Sequence, residues 1–374
     1  MMHRTWVEIS LESIAANYHA LRRAAGVGVL VAPVVKADAY RHGAVQVARR
    51  LEAEGASWLA VSNSAEGVQL RDAGIGARIL VMGGFLDCER EALAVFSLTP
   101  VIHSLATLRE LNRYAVSRSA VLPVHLKIDT GMGRLGSRAT CEEMIQSVRE
   151  ASHLRLEGLM THFASASDFT TSQTSDQISA FEAAHQAFIR AGIVPELVHL
   201  SSSAPLAFGL KCAFGTMVRP GLALYGYVSP PAGRAPQLLL QVEPALMWKA
   251  RILEVKEIDV DMPVGYGARW RTARASRIGV IAAGYADGLP HTLSNRGHVI
   301  AGGRIVPLAG AVSMDLSSVD LTDAPEVQAG DAVTLIGKED DARYDAEDMA
   351  REAGIISYAV LCGIGNRVAR VYVE

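Results

Sequence analysis

A chain of 374 residues is too long for one small core, and with 50% of them hydrophobic it can fill two. Its 36 Lys and Arg against 39 Asp and Glu leave a net charge of −3, which argues against a nucleic-acid or membrane-surface binder. The four cysteines, Cys88, Cys141, Cys212 and Cys362, lie far apart, so neither a disulfide framework nor a metal site is expected, and no apolar run reaches the roughly 18 residues of a membrane span.

The opening MMHRTWVEIS lacks a charged leader followed by an apolar stretch, so no signal peptide is expected and the chain reads as cytoplasmic. A first strand is predicted near Trp6–Ile9. Ser10 then caps a helix running to about Ala25, and Gly26 ends it. Strand-like runs follow near 29–36, 58–62, 78–83, 98–103, 122–129, 154–161, 197–201 and 217–225. Most segments between them carry apolar residues at helical spacing, as in AVQVARRLEAEG, SLATLRELNRY and TSDQISAFEAAHQAFIRAG; the last connection, 203–216, is shorter and less regular. Eight strands separated mainly by helices predict an α/β fold, a parallel sheet closed as a (β/α)8 TIM-like barrel. An open doubly wound sheet is the alternative, but no G-x-G-x-x-G follows the first strand of the series.

The texture changes at SPPAGRAPQ, 229–237, a Pro/Gly-rich junction. Beyond it short β-rich runs dominate, with one credible helix in DAEDMAREAG capped by Asp345. The expected domains are therefore a barrel over 1–235 and a mainly β C-terminal domain over 236–374, with the first strand free to join the latter.

A barrel of this kind collects its chemistry at the C-terminal strand ends. Those ends supply Lys36, Lys127, Asp129, Arg134, His162, Ser201–Ser203, Arg219 and Gly221. Lys36 ends the apolar run VLVAPVVK. It is either a stem covering apolar surface with its head in water, or a desolvated amine able to form a Schiff base with a carbonyl-bearing cofactor. Arg219 is either a rim ion pair or a donor aimed at a cofactor's ring nitrogen or phosphate; an arginine does not yield its proton in practice. Gly221 permits close backbone approach, or is simply a turn. Gly131, Gly133 and Gly136 can fold Arg134 back over the mouth to meet a carboxylate, or form an ordinary surface loop. Ser203 lies in a serine-rich turn that could also face a phosphate. His162 reads as structural or as part of the site. In the β domain, Tyr266 and Tyr285 each sit beside glycines, in PVGYGARW and AAGYADGLP, either as presented side chains or as half-buried anchors.

The motifs VVKADAYRHG, KIDTGMGRLG, THFA, VRPGLALYG, GYGA, GYADG, SMD and ISYAVLCGIGNRV stand in this order along nearly the whole chain. In these the sequence resembles the alanine racemase family of fold-type-III pyridoxal 5′-phosphate enzymes. The resemblance implies a head-to-tail homodimer with each active site at the subunit interface. Lys36 would carry the cofactor, and Lys36 and Tyr266, the latter from the other subunit, would be the two catalytic bases. Tyr40, Ser203, Gly221, Leu222 and Tyr358 would hold the phosphate, and Arg219 would face the pyridine nitrogen. His162 would sit behind Tyr266 and Arg219. Arg134 and the backbone of Met314 would contact the substrate carboxylate, and Lys127 corresponds to a lysine that is carbamylated in some members.

The implied activity is interconversion of L- and D-alanine, for peptidoglycan supply or for catabolism. Arg41, Ser202, Ser313 and Ala369 depart from the residues common in the family, and the pocket shape they affect keeps a serine or broad-specificity racemase open. A fold-type-III amino-acid decarboxylase would be expected to carry an acidic partner for the ring nitrogen, which Arg219 argues against. A non-catalytic pyridoxal-phosphate-binding protein would resemble the barrel alone.

Overall fold

The computed structural model describes residues 3–373; the first two residues of the MMHRTWVEIS opening lie outside it. The chain divides into two compact units. One comprises residues 13–39 and 44–243; the other comprises residues up to 12, residues 40–43 and residues from 244 onward. The sequence reading put the junction at 235/236. The Pro/Gly-rich stretch instead stays with the first unit, because its backbone is strapped there: Phe169 N–H donates to Ala232 O, and Leu239 N–H to Ala207 O, at 2.9 and 2.8 Å.

In chain order the first strands are β1 (Thr5–Ser10), β2 (Leu30–Val31), β3 (Trp58–Val61), β4 (Arg78–Val81), β5 (Leu98–Ile102), β6 (Leu122–Lys127), β7 (Leu154–Met160), β8 (Leu197–His199) and β9 (Met217–Val218). Strands β3 to β8 form one parallel sheet in sequence order, and β2 pairs with β9 in parallel. The two sheets join at both edges. Val35 N–H donates to Ala60 O and Ala60 N–H to Pro33 O, while Arg219 N–H donates to Ser201 O. Eight parallel strands therefore close into a (β/α)8 barrel, as the strand–helix alternation predicts.

Helices Ala44–Ala53, Ser64–Asp72, Arg90–Val95, Leu105–Ser117, Cys141–Glu150 and Gln173–Arg190 fill the crossovers. Their starts are chemically set. Ser104 Oγ accepts from Thr107 N–H, and Thr140 with Glu143 forms a reciprocal capping box. The outward strand residues Val124, Leu126 and Leu159 pack on Leu108, Leu111, Met144, Phe181 and Phe188. Each such buried side chain is worth about 1.5–3 kcal/mol over exposure.

The second unit carries β10 (Leu246–Ile258), β11 (Pro263–Val264), β12 (Trp270–Arg271), β13 (Ser276–Ile281), β14 (His298–Ala301), β15 (Arg304–Pro307), β16 (Ser317–Asp320), β17 (Ala332–Glu339), β18 (Ala342–Tyr344) and β19 (Ala369–Val373). Its principal sheet has nine strands, and β1 belongs to it, antiparallel to β10 and parallel to β19. Helix Ala346–Ala353 is capped by the Asp345 carboxylate and closed by Gly354 at φ +70°. A second helix, Ser357–Gly363, occupies the ISYAVLCGIGNRV segment that periodicity left unread. Among the described residues no helix is long and apolar enough to cross a membrane.

Candidate active site

Lys36 is half-buried where the β2 run meets the barrel mouth. Directly after it, Ala37, Asp38, Ala39, Tyr40 and Arg41 all have positive φ, between 52° and 68°. Non-glycine residues pay about 1–2 kcal/mol each for this left-handed conformation and rarely adopt it in succession. Side-chain carboxylates hold the turn. Glu66 accepts from Ala37 N–H at 2.7 Å and from Ser62 N–H at 2.7 Å, and Asp38 accepts from Ala44 N–H at 2.8 Å. Strain of this kind, retained against a cheaper alternative, marks a functional segment.

Lys127 ends β6 and is 5% exposed. Burial first, then the charges of Arg219 and Arg134, push its ammonium down to about 8, with Asp129 opposing. Beyond it the Asp129 carboxylate accepts from the N–H groups of Gly131, Met132 and Gly133 at 3.2, 2.9 and 3.0 Å. A Cβ on Gly136 would stand 2.8 Å from Asp129 N, so the loop closes only with glycine there. Arg134 emerges exposed and lines a cavity of about 520 Å³ with Phe85, His103, Ser104, Leu135 and Gly136.

Arg219 lies just past β9 and is 2% exposed. Its Nη1 donates to His199 Nδ1 at 2.7 Å. Its Nη2 donates to Thr161 O and Leu200 O at 2.9 and 3.2 Å and approaches His162 Nδ1 at 3.3 Å. Burial lowers the guanidinium to about 9. His162 is pushed down to about 3 by burial and then by Arg219, Lys127, Arg134 and Lys36, so it is neutral. Ser203 is buried, and its Oγ accepts from Gly221 N–H and Ala223 N–H, each at 3.1 Å. This bond fixes the Gly221–Leu222 turn. Lys36, Lys127, Arg134, His162, Ser203, Arg219, Gly221 and Leu222 thus all lie in the barrel unit at strand exits.

Tyr40, Tyr266, Met314 and Tyr358 lie in the second unit. Tyr40 is buried, and its ring meets that of Tyr358 at 5.9 Å between centroids. Tyr266 is 76% exposed, between Gly265 and Gly267 at φ +72° and +71°. Met314 is exposed, and its carbonyl accepts from Ala286 N–H at 2.9 Å.

Pattern reading missed the residues below the mouth. His125 Nδ1 lies 2.8 Å from His199 Nε2, and His125 Nε2 lies 3.5 Å from Glu157 Oε2. Glu157 is gripped by both terminal nitrogens of Arg78 at 2.6 Å and by Arg155 at 2.9 Å. The signal was available: His125 stands two residues before Lys127, so a β alternation puts both on the inner face.

A closed (β/α)8 barrel with a lysine in a strained strand exit and a buried arginine at the exit of the neighbouring strand defines a barrel enzyme working at its C-terminal mouth. The alanine racemase N-terminal domain family matches residues 9–230 and the C-terminal domain family matches residues 245–372. The chain therefore belongs to the alanine racemase family. It is 39% identical over 373 residues to the alanine racemase of Halothermothrix orenii, covering 98% of this chain and 96% of that one. Among solved structures, the enzyme from a D-cycloserine-producing Streptomyces lavendulae superposes with TM-score 0.93 at 31% identity, covering 100% of this chain and 98% of that one. The Bartonella henselae alanine racemase, solved with covalently bound pyridoxal phosphate, gives TM-score 0.88 at 28% identity with both chains fully covered.

Proposed function

We propose that this chain racemises alanine with pyridoxal 5′-phosphate joined to Lys36, working as a cytoplasmic head-to-tail homodimer. The observation that carries the reading is Arg219: a buried cation whose partners named above are neutral imidazoles and carbonyls. Such a group suits an electron-rich ring nitrogen. The Leu222 N–H and the Ser203 hydroxyl proton, and in the other unit the phenols of Tyr40 and Tyr358, are donors of the kind a phosphate needs. The residues present therefore fit the cofactor.

Lys36 would hold pyridoxal phosphate, which would supply an electron sink for the substrate's α-carbon. Displaced by the substrate amine, the freed Lys36 amine would take or return the α-proton on one face, and Tyr266, presented by a second copy, would do so on the other. The 76% exposure of Tyr266 supports that presentation. Arg219 donates without releasing its proton, leaves the ring nitrogen unprotonated and so limits the sink. Arg134 and the Met314 backbone hold the substrate carboxylate, while His162 stands beside Arg219. Lys127, lowered to about 8, has enough neutral amine near neutrality to take up carbon dioxide as a carbamate, which would orient Arg134. The product serves peptidoglycan supply or the substrate is catabolised.

The test is a chiral assay of purified protein with L-alanine and L-serine, alongside the visible spectrum before and after borohydride. Racemisation of alanine, with a chromophore made permanent by reduction, is expected. Carbon dioxide release, or no turnover, would overturn the reading.

A further inference from the structure

The interior of a (β/α)8 barrel is ordinarily filled by branched apolar side chains. Here a polar row crosses it: His199 and His125 are fully buried and Glu157 is 1% exposed. We infer that Glu157, itself ion-paired with Arg78 and Arg155, sets the direction of a row of two neutral histidines that ends on Arg219, and so fixes their tautomers. Glu157, His125 and His199 are positioning residues, and their consequence for catalysis rests on the racemase reading; the proton arrangement does not.

The direction of the row follows from donor chemistry. A guanidinium has only donors, so its bond to His199 Nδ1 requires a lone pair there. The His199 proton then sits on Nε2 and donates to His125 Nδ1 at 2.8 Å. The remaining His125 proton sits on Nε2, facing Glu157 Oε2 at 3.5 Å. Burial and then neighbouring groups hold both imidazoles below the ordinary histidine range: for His199, the Arg219 charge and the facing His125 ring; for His125, the charges of Arg78 and Arg219, against the opposing pull of Glu157. Burial raises the Glu157 carboxyl, but the His125 ring facing it and the bonds from Arg78 and Arg155 outweigh that and keep the group ionised. Every N–H dipole in the row therefore points from Arg219 toward Glu157, and aligned dipoles strengthen one another.

The backbone is built around this row. A Cβ on Gly158 would stand 2.5 Å from the His125 ring, so glycine makes the space for it. The β6–β7 register slips between Val124 and His125, which pair with Leu156 and Gly158, so Glu157 is the extra residue of a bulge. Bulges re-aim side chains beside active sites. Arg78 is further held over the Trp58 ring at 4.0 Å. At the mouth, the groups facing Arg219 are His199 and His162, with the Lys127 charge also acting on that neighbourhood.

Nitrogen-15 NMR of the histidine rings in the wild-type holoenzyme is expected to show His199 and His125 neutral, each protonated on Nε2, across about pH 6 to 9. A proton on His199 Nδ1, or a cationic ring, overturns the inference. Glu157→Gln keeps the shape and an acceptor but removes the charge. The ratio of Nε2- to Nδ1-protonated His125 in the same spectra is then expected to fall about tenfold, the effect of roughly one pKa unit. Glu157→Asp is expected to restore most of the wild-type ratio, and it serves alone if the glutamine variant does not fold. An unchanged ratio in Glu157→Gln, whatever its stability, overturns the charge role. Wild-type protein lacking turnover while showing the expected tautomers would instead count against the racemase reading alone.

Discussion

Lys36 and Lys127 both stand at barrel strand exits, and the chain leaves each by a tight positive-φ turn made from different residues. After Lys127 the turn uses Gly131, Gly133 and Gly136, at φ +138°, +70° and +125°. After Lys36 it runs from Ala37 to Arg41 without one glycine. Glycine would adopt those angles at no steric cost, so its absence means that the side chains themselves are required. Asp38 ties the turn to Ala44, and the Tyr40 ring meets that of Tyr358 at a tilt of 44°. The loop after Lys127 delivers one side chain, Arg134; the turn after Lys36 is itself the apparatus.

The largest expected effect separates the two lysines. Lys36→Ala should bring racemisation below detection in both directions and abolish the cofactor's visible band. Lys127→Ala should keep the band and lose about tenfold in kcat/KM, chiefly through KM. Equal collapse of the two variants would break the distinction. Next, Tyr266→Phe should slow exchange of the α-proton of one enantiomer by about a thousandfold and spare the other, read by deuterium uptake from heavy water. Symmetric loss would leave Lys36 without its separate face. Lys127 also has a pH signature. Its folded pKa of about 8 lies below the ordinary 10.5, so between these values the unfolded chain binds more protons. Stability should rise with pH across that window, and less so in Lys127→Ala, measured by urea unfolding in buffer free of carbon dioxide. The smallest effect is Ala37→Gly. Relief of about 1–2 kcal/mol of left-handed strain, less glycine's entropic cost of about 0.5–1, predicts a net gain of up to about 1.5 kcal/mol in thermal unfolding. A clear loss would show that the turn is not strained at Ala37.

Much of this was legible in the sequence because it is local. Gly26 and Asp345 mark element ends by capping chemistry, and each of the eight barrel strands carries an apolar run, though the 29–36 and 217–225 runs pair over only two residues each, in β2 and β9. Lys36, Arg219 and the glycine loop were found as strand ends. The left-handed course of Ala37–Arg41 was not, since none of those residues announces positive φ. His125, His199 and Glu157 were passed over because each is a single polar residue within a strand, and only barrel closure brings them into one row. The bulge at Glu157 shifts the alternation that would otherwise have placed it. The helix Ser357–Gly363 escaped because its seven residues are too few for periodicity to register.

Strand β1 is flanked by β10 on one side and β19 on the other, with Val7 registered against both Trp248 and Arg370. During synthesis this strand leaves the ribosome early, yet both its ladder partners are translated only after the whole barrel. Until then its backbone donors and acceptors stay solvated or seek other mates. Assembly of the β unit is thus coupled to the later translation of β10 and β19, and shortening the chain through β19 would strip the parallel edge from a strand made hundreds of codons before.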